Sequence, residues 1–168
     1  MGPVRAGDPE SRPGELAIRS ISAEETYPLR REVLRDGRSA PPVYASGDSH
    51  IDAIHLLAIV DGVSAGVVST YPAAIDPRFI DPSQSSWVLV GMAVREHFRG
   101  CGVGGCLMDR LVESVEVRGG TTLWARVRDV AIPFYRRHLF VVSGDGYEHV
   151  GLPHHTAART LAVPAGGP

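Results

Sequence analysis

"HFRGCGVGGCLMDRL", residues 97–111, places Gly100, Gly102, Gly104 and Gly105 within six positions and then runs into an apolar pattern of helical period. Leu107, Met108, Leu111, Val112 and Val115 share one helical face, which predicts a helix from about Gly104 to Arg118, stopped by Gly119-Gly120. Glycine weakens a helix and frees the backbone, so a cluster of it at a helix mouth calls for a cause. The first turn of a helix carries unpaired N–H groups and roughly half a positive charge. Without Cβ atoms in the way, several amides can converge on one anion. Arg99 adds a full charge beside them. The physical reading is a phosphate or pyrophosphate cradle. A tight strand–helix connection with no ligand is the alternative that these residues leave open.

Outward from this stretch, "WVLVGMAV" (87–94) is nearly continuous apolar sequence and reads as a strand buried on both faces. "TTLWARV" (121–127) is a second strand, and a right-handed crossover makes the two parallel neighbours. "DVAIPFYRRHLF" (129–140) reads as a helix, with Asp129 as cap and Pro133 near its first turn. Toward the N-terminus, "ELAIRSIS" (15–22) alternates as a strand, and Ser22 with Glu25 fits a capping box. Pro28 suits a first helical turn, so "YPLRREVLRDG" (27–37) is the expected helix, ended by Gly37. Residues 38–50 and 73–86 read as loops, and 51–72 as a hairpin around Asp61-Gly62. "VVSGDGYEHV" (141–150) and "HHTAARTLAV" (154–163) form a last pair of strands. The order is β-α-β-β-β-α-β-α-β-β. It predicts an α/β protein of α+β type, with a mixed, mostly antiparallel sheet of about seven strands. Helices cover both faces and a parallel β-α-β unit sits at the centre. Residues 1–14, rich in Pro, Gly and charge, read as a disordered lead-in, 15–162 as one domain and 163–168 as a frayed tail.

Composition narrows the function classes. The net charge of −2 gives no electrostatic footprint for nucleic acid. No apolar run approaches the ~18–20 residues that span a bilayer, and the start lacks a signal-peptide core, so a cytoplasmic location is expected. The two cysteines, Cys101 and Cys106, form no disulfide framework and no zinc spacing, so no metal is expected. Cys101 reads as incidental and Cys106 as a packing residue. There is no lysine and no asparagine, and all 17 Lys-plus-Arg positions are arginine. Mechanisms that need a P-loop lysine or a Schiff-base lysine are therefore excluded. Gly100-x-Gly102-x-x-Gly105 does fit a dinucleotide fingerprint as written. In that fold, however, the first glycine follows its strand almost at once, and a long parallel series follows. Here residues 95–99 intervene and hairpins flank the unit.

"VREHFRGCGVGGCLM" resembles the acyl-CoA motif of the GNAT family of N-acetyltransferases, Arg/Gln-x-x-Gly-x-Gly/Ala, through Arg99, Gly102 and Gly104. "WVLVGMAV" resembles the family's central fourth strand. "AIPFYRRHLF" resembles its Phe-Tyr-x-x-x-x-Phe helix, with Phe134, Tyr135 and Phe140 in place. The likeness covers roughly residues 15–162, element order included.

The resemblance implies an acyl-CoA N-acyltransferase fold and transfer of an acetyl group from acetyl-CoA to an amine, by direct attack in a ternary complex. It implies that the pantetheine arm lies along Met92, Ala93 and Val94. The pyrophosphate would sit on the loop of Arg99, Gly100, Cys101, Gly102, Val103, Gly104 and Gly105. Tyr135 would be the general acid, because a phenol can protonate a departing thiolate at modest cost. Some members carry a glutamate on the fourth strand as base. This strand has no carboxylate, which leaves water, His55 or Glu96. The family's cofactor-contacting asparagine aligns with Arg126, and the glycine before its final phenylalanine with Leu139. Arg30 and Arg31 on the first helix, and His155 on the last hairpin, are candidates to read the acceptor. The expected partners are acetyl-CoA and an amine of a small molecule or peptide, with no nucleic acid or membrane, and a homodimer is compatible with exposed sheet edges. The alternatives are a non-catalytic acyl-CoA sensor and, less favoured, a dinucleotide-binding oxidoreductase.

Overall fold

A computed structural model describes residues 14–35, 43–75 and 85–162. The expected lead-in and tail, and Gly37, lie outside the described residues. Seven strands form one sheet: β1 (Leu16–Ser20), β2 (Ile54–Val60), β3 (Val63–Pro72), β4 (Ser86–Val94), β5 (Thr122–Arg128), β6 (Val141–His149) and β7 (Leu152–Thr160). Their order is β1-β2-β3-β4-β5-β7-β6. Only β4 and β5 pair in parallel; every other pairing is antiparallel. The expected chain order is therefore observed, and the parallel series of a dinucleotide fold is absent among the described residues. Among the described residues, no helix is long and apolar enough to cross a membrane.

Among the described residues, three α-helices join the sheet: α1 (Ala23–Leu34), α2 (Val103–Val117) and α3 (Ile132–Arg137). Helix α1 begins four residues earlier than expected, because the Ser22–Glu25 capping box closes at its N-terminus. Pro28 consequently lies inside the helix rather than in its first turn. Helix α2 keeps the apolar face read from the sequence: Leu107, Met108, Leu111 and Val115 are fully buried. It packs on one side of the sheet with Leu56, Val68, Leu89, Leu123, Ala125 and Val127. Helix α1 packs on the other side, where Leu29 meets Leu57, Val67 and Ala93. The expected 129–140 helix divides into a 3₁₀ turn, Asp129–Ala131, and α3. Asp129 makes no side-chain cap hydrogen bond here; its carboxylate instead takes His155 at 2.8 Å.

Period-two alternation sorts strand residues between these two faces. On β5, Leu123, Ala125 and Val127 join the α2-side core, while Trp124 joins Val88 and Ile75 on the α1 side. Arg126 and Arg128 continue the Trp124 parity, so they also face the α1 side.

Candidate active site

The site is created by a parting of strands. Pairing of β4 with β5 runs from Ser86↔Thr122 to Leu89↔Ala125 and stops. Beyond it, Val90–Val94 and Arg126–Arg128 diverge. A bulge assists: Val67 pairs with Ala93 but Ser69 pairs with Val90, so one β3 residue opposes two on β4. Gly91 carries it with φ +61°, a left-handed conformation suited to glycine. The gap leads into a cavity of about 990 Å³ that reaches both faces of the sheet.

On the α2 side, the cavity is lined by Met92, Val94, Arg99, Gly100, Gly102, Gly104 and Gly105. Gly102 is the N-cap of α2 at φ +84°, and no side chain caps the helix. The first helical bond runs from Cys106 N–H to the Gly102 carbonyl at 3.0 Å, so the amides of Val103, Gly104 and Gly105 precede it and are free of helical partners. A Cβ at Gly100 or Gly102 would meet nothing within 4 Å. Their missing side chains therefore leave open space above the amides. Arg99 is exposed and donates from Nε to the Val94 carbonyl at 3.1 Å, which aims its guanidinium across the loop. Cys101 and Val103 do not line the cavity, and the Val103 side chain is buried in the core. Cys106, expected to pack, is exposed. It falls between the buried positions of the helix, Val103 and Leu107.

Tyr135 closes the same side. It is 6 % exposed and lines the cavity. Helix α3 ends in a Schellman motif, with the Phe140 N–H on the Tyr135 carbonyl at 3.1 Å and the Leu139 N–H on the Arg136 carbonyl at 3.1 Å. Leu139, which aligns with the family's glycine, adopts φ +66° and is 69 % exposed. The hydroxyl of Tyr135 has no hydrogen-bond partner among the described residues, and burial pushes its pKa well above the usual phenol value. It is therefore protonated throughout the physiological range.

On the α1 side, Arg30 is 1 % exposed and grips Asp48 through both terminal nitrogens, at 2.7 and 3.1 Å. It also donates to Ser69 Oγ at 2.7 Å and to the Val43 carbonyl. Its Nε is buried without a partner, against Gly91, where a Cβ would collide with it. Asp48 Oδ2 in turn accepts the Ala45 N–H, which fixes the 43–48 loop against the cavity. With Ser69 Oγ accepting from Arg30, the hydroxyl hydrogen points to His55 Nδ1 at 2.7 Å, and His55 Nε2–H donates to the Asp48 carbonyl at 3.1 Å.

The sequence-predicted residues thus divide. Tyr135, Met92, Ala93, Val94, Arg99 and the glycines meet at one cavity. His55 does not line it: the ring is buried and both nitrogens are engaged, so neither is available as a base. Glu96 stands exposed in a 3₁₀ turn, Glu96–Phe98, outside the lining. Arg31 is exposed away from it. Arg30 lines the cavity but is committed to Asp48. His155 lies on the α2 face with Val127, bound to Asp129; its neighbour His154 is the one that lines the cavity.

A second set is not assigned to the site by the sequence, although Arg35 shares the basic first helix with Arg30 and Arg31, where an arginine is a candidate to read an acidic acceptor. Arg35, Arg126, Arg128, His149 and His154 line the α1 side of the cavity. The parity of Trp124, Arg126 and Arg128 on β5 was the available signal. The His149 and His154 rings meet edge to face at 5.2 Å. Burial, with Arg126, His154 and Arg35 nearby, lowers the pKa of His149, so it is neutral at pH 7. Among the described residues, no group of three or more His, Cys, Asp or Glu is placed to hold a metal ion.

Comparison with known proteins agrees with this architecture. A family model described as an acetyltransferase (GNAT) domain matches residues 52–142. The uncharacterized N-acetyltransferase YitI of Bacillus subtilis is 24% identical over 140 residues, covering 83% of this chain and 92% of its own. A putative N-acetyltransferase from Lactobacillus plantarum superposes with a TM-score of 0.71 at 21% identity, over 88% of this chain and 99% of its own. An acyl-CoA N-acyltransferase from Pseudomonas aeruginosa superposes with a TM-score of 0.67 at 21% identity, over 86% of this chain and 99% of its own. The matched segment runs from the start of the β2–β3 hairpin through the parted strands, the glycine loop and Tyr135 into β6, and by it this chain belongs to the GNAT acetyltransferase domain family.

Proposed function

We propose that this protein is an acetyl-CoA-dependent N-acetyltransferase that acts on the amine of a small molecule or peptide by direct transfer. The observation that carries the reading is the parted β4–β5 gap, with free helix-mouth amides at one end and a protonated phenol on the same face. The residues fit acetyl-CoA. The amides of Val103, Gly104 and Gly105, with Arg99, suit a pyrophosphate, and the unpaired edge of Val90–Val94 suits an extended amide-bearing arm. When bound, acetyl-CoA supplies a thioester whose carbonyl carbon is attacked by the neutral amine, with the coenzyme A thiol as leaving group.

The chain's own groups then have defined tasks. A backbone N–H near Met92 or Ala93 donates to the negative charge that develops on oxygen. Tyr135 holds a proton at its hydroxyl, unshared with any described residue, for the departing sulfur. Neutral His149, or water beside it, takes the amine proton.

Thermal unfolding and thiol release test the reading. Acetyl-CoA should raise the melting temperature and NAD(P) should not. Thiol should be released from acetyl-CoA in the presence of an acceptor from an amine panel. Stabilisation by NAD(P) instead would favour the oxidoreductase. Stabilisation by acetyl-CoA without turnover of any amine would leave an acyl-CoA sensor.

A further inference from the structure

The two faces of the cavity differ in charge. On the α1 side stand three guanidiniums, Arg35 at the end of α1 and Arg126 and Arg128 on β5, with His149 and His154 beside them. Among the described residues, no Asp or Glu lines the cavity at all. Away from the cavity, Arg19 pairs with Glu25, Arg95 with Glu32 and Arg110 with Glu113, and within it Arg30 pairs with Asp48. Arg35, Arg126 and Arg128 have no such carboxylate partner among the described residues. Arg128 donates to the Leu34 carbonyl at 3.3 Å and Arg35 to the same carbonyl at 3.0 Å, so one oxygen gathers two guanidiniums. Arg35 Nε is buried with no partner. Arg126 lies over the Trp124 ring, its guanidinium carbon 5.2 Å from the ring centroid.

Gathering like charges costs free energy, more so where water is reduced. Burial, and after it the neighbouring Arg128, already depresses the Arg35 pKa. Such a wall is repaid when an anion enters it, and guanidinium groups bind planar carboxylates through paired N–H donors. The phosphates of coenzyme A do not answer this need, because the cradle that suits them is on the opposite face of the sheet, at the mouth of α2. With acetyl-CoA held on the α2 side, as proposed above, the α1-side mouth of the gap is left for the acceptor. It would also repel an acceptor that carries only an ammonium.

Building on the transferase reading above, we propose that the acceptor is a small amine that also carries a carboxylate, and that Arg35, Arg126 and Arg128 bind that carboxylate. The carboxylate anchors the molecule against the wall and leaves its amine free to reach the gap. Arg35, Arg126 and Arg128 are specificity residues in this scheme, not members of the proton-transfer machinery.

Binding and turnover are measured separately. The probes are the free L-amino acids, their N-acetyl derivatives, the matching amino-acid amides, and phosphoethanolamine as the phosphate-bearing counterpart. Thermal shift is read with and without acetyl-CoA, followed by thiol release. At least one amino acid and its N-acetyl derivative should stabilise the protein while the amide does not. The R126Q and R128Q variants should weaken that binding tenfold or more and raise KM with kcat within about threefold. Their melting temperatures and acetyl-CoA affinities should match the parent, as should those of R110Q, a control on the outer face of α2. Equal binding of acids and amides, preference for phosphoethanolamine, or R126Q and R128Q binding acids like the parent would each overturn the proposal. Selective carboxylate binding with no thiol release would support the anion site and defeat the transferase reading.

Discussion

Phe140 meets Tyr135 edge to face, with ring centroids 5.1 Å apart and planes at 90°. The two occupy the C″ and C3 positions of the Schellman motif that ends α3, where an apolar contact commonly accompanies the reversed hydrogen bonds. The spacing of the two aromatics in the family motif is thus a helix-termination device that also fixes the ring of the proposed acid. Its C′ position is Leu139 at φ +66°. A left-handed conformation costs a branched residue about 1–2 kcal/mol, and the Leu139 side chain recovers little because it faces solvent. Leu139→Gly should therefore stabilise the protein by about 1 kcal/mol, raising the melting temperature by roughly 2–4 °C for a domain of this size. A melting temperature that falls would show that Leu139 makes a contact worth more than the strain.

Tyr135→Phe removes a hydroxyl that no described residue shares. Stability should stay within about 0.5 kcal/mol, while kcat falls by about 10²-fold or more. Burial raises the phenol pKa, so the acid form persists and the rate should show no descending limb up to pH 10. The sign for stability follows. A phenol pKa raised on folding favours the folded state below the unfolded value near 10 and loses that contribution as pH climbs above it. Rates should accordingly be read below pH 10. A variant as fast as the parent, or a descending limb near pH 8, would remove Tyr135 as the acid.

Gly102→Val tests the cradle. Its Cβ would meet no protein atom, so the direct penalty is the positive φ of +84° alone. Gly62, at φ +79° in the β2–β3 turn, is equally unobstructed and far from the cavity lining. Both Val variants should lose about 1–3 kcal/mol of stability. Only Gly102→Val should weaken acetyl-CoA binding, tenfold or more, by isothermal titration. Equal acetyl-CoA affinities would refute the cradle.

Asp48→Ala strands the Arg30 guanidinium in a buried site. Removing one partner of a buried ion pair costs about 3–5 kcal/mol, so the denaturant midpoint should fall sharply. The 43–48 loop, which Asp48 ties down through Ala45 N–H, should become accessible to protease. A loss below about 1 kcal/mol would mean that water satisfies Arg30 instead.

The sequence carried the element order because its signals are local: alternation, a helical stripe, and the Asp61-Gly62 turn. It carried the glycine loop and Tyr135 because the chemistry there is written in consecutive residues. The place of β7 between β5 and β6 was hidden, since a hairpin does not state which of its strands docks. Arg30 reads from sequence as a group free to meet the acceptor for a related reason: the Asp48 and Ser69 that engage it lie 18 and 39 residues away. His55 was proposed as a base from residue type alone, before its two hydrogen bonds were known. Arg126 entered only as a departure from a family pattern, although its two-residue spacing from Trp124 and Arg128 already set its face.

The α1-side wall has one more consequence. Its cations are guanidiniums, and the chain contains no side-chain primary amine at all. A guanidinium stays charged at any working pH and is a poor nucleophile. A lysine set in such a wall, its pKa lowered by its neighbours, would become a competitor for the activated acetyl group. In the proposed scheme, arginine lets the wall hold an acceptor within reach of that group without being consumed by it, so a surface that selects the substrate would be inert to the reaction it serves.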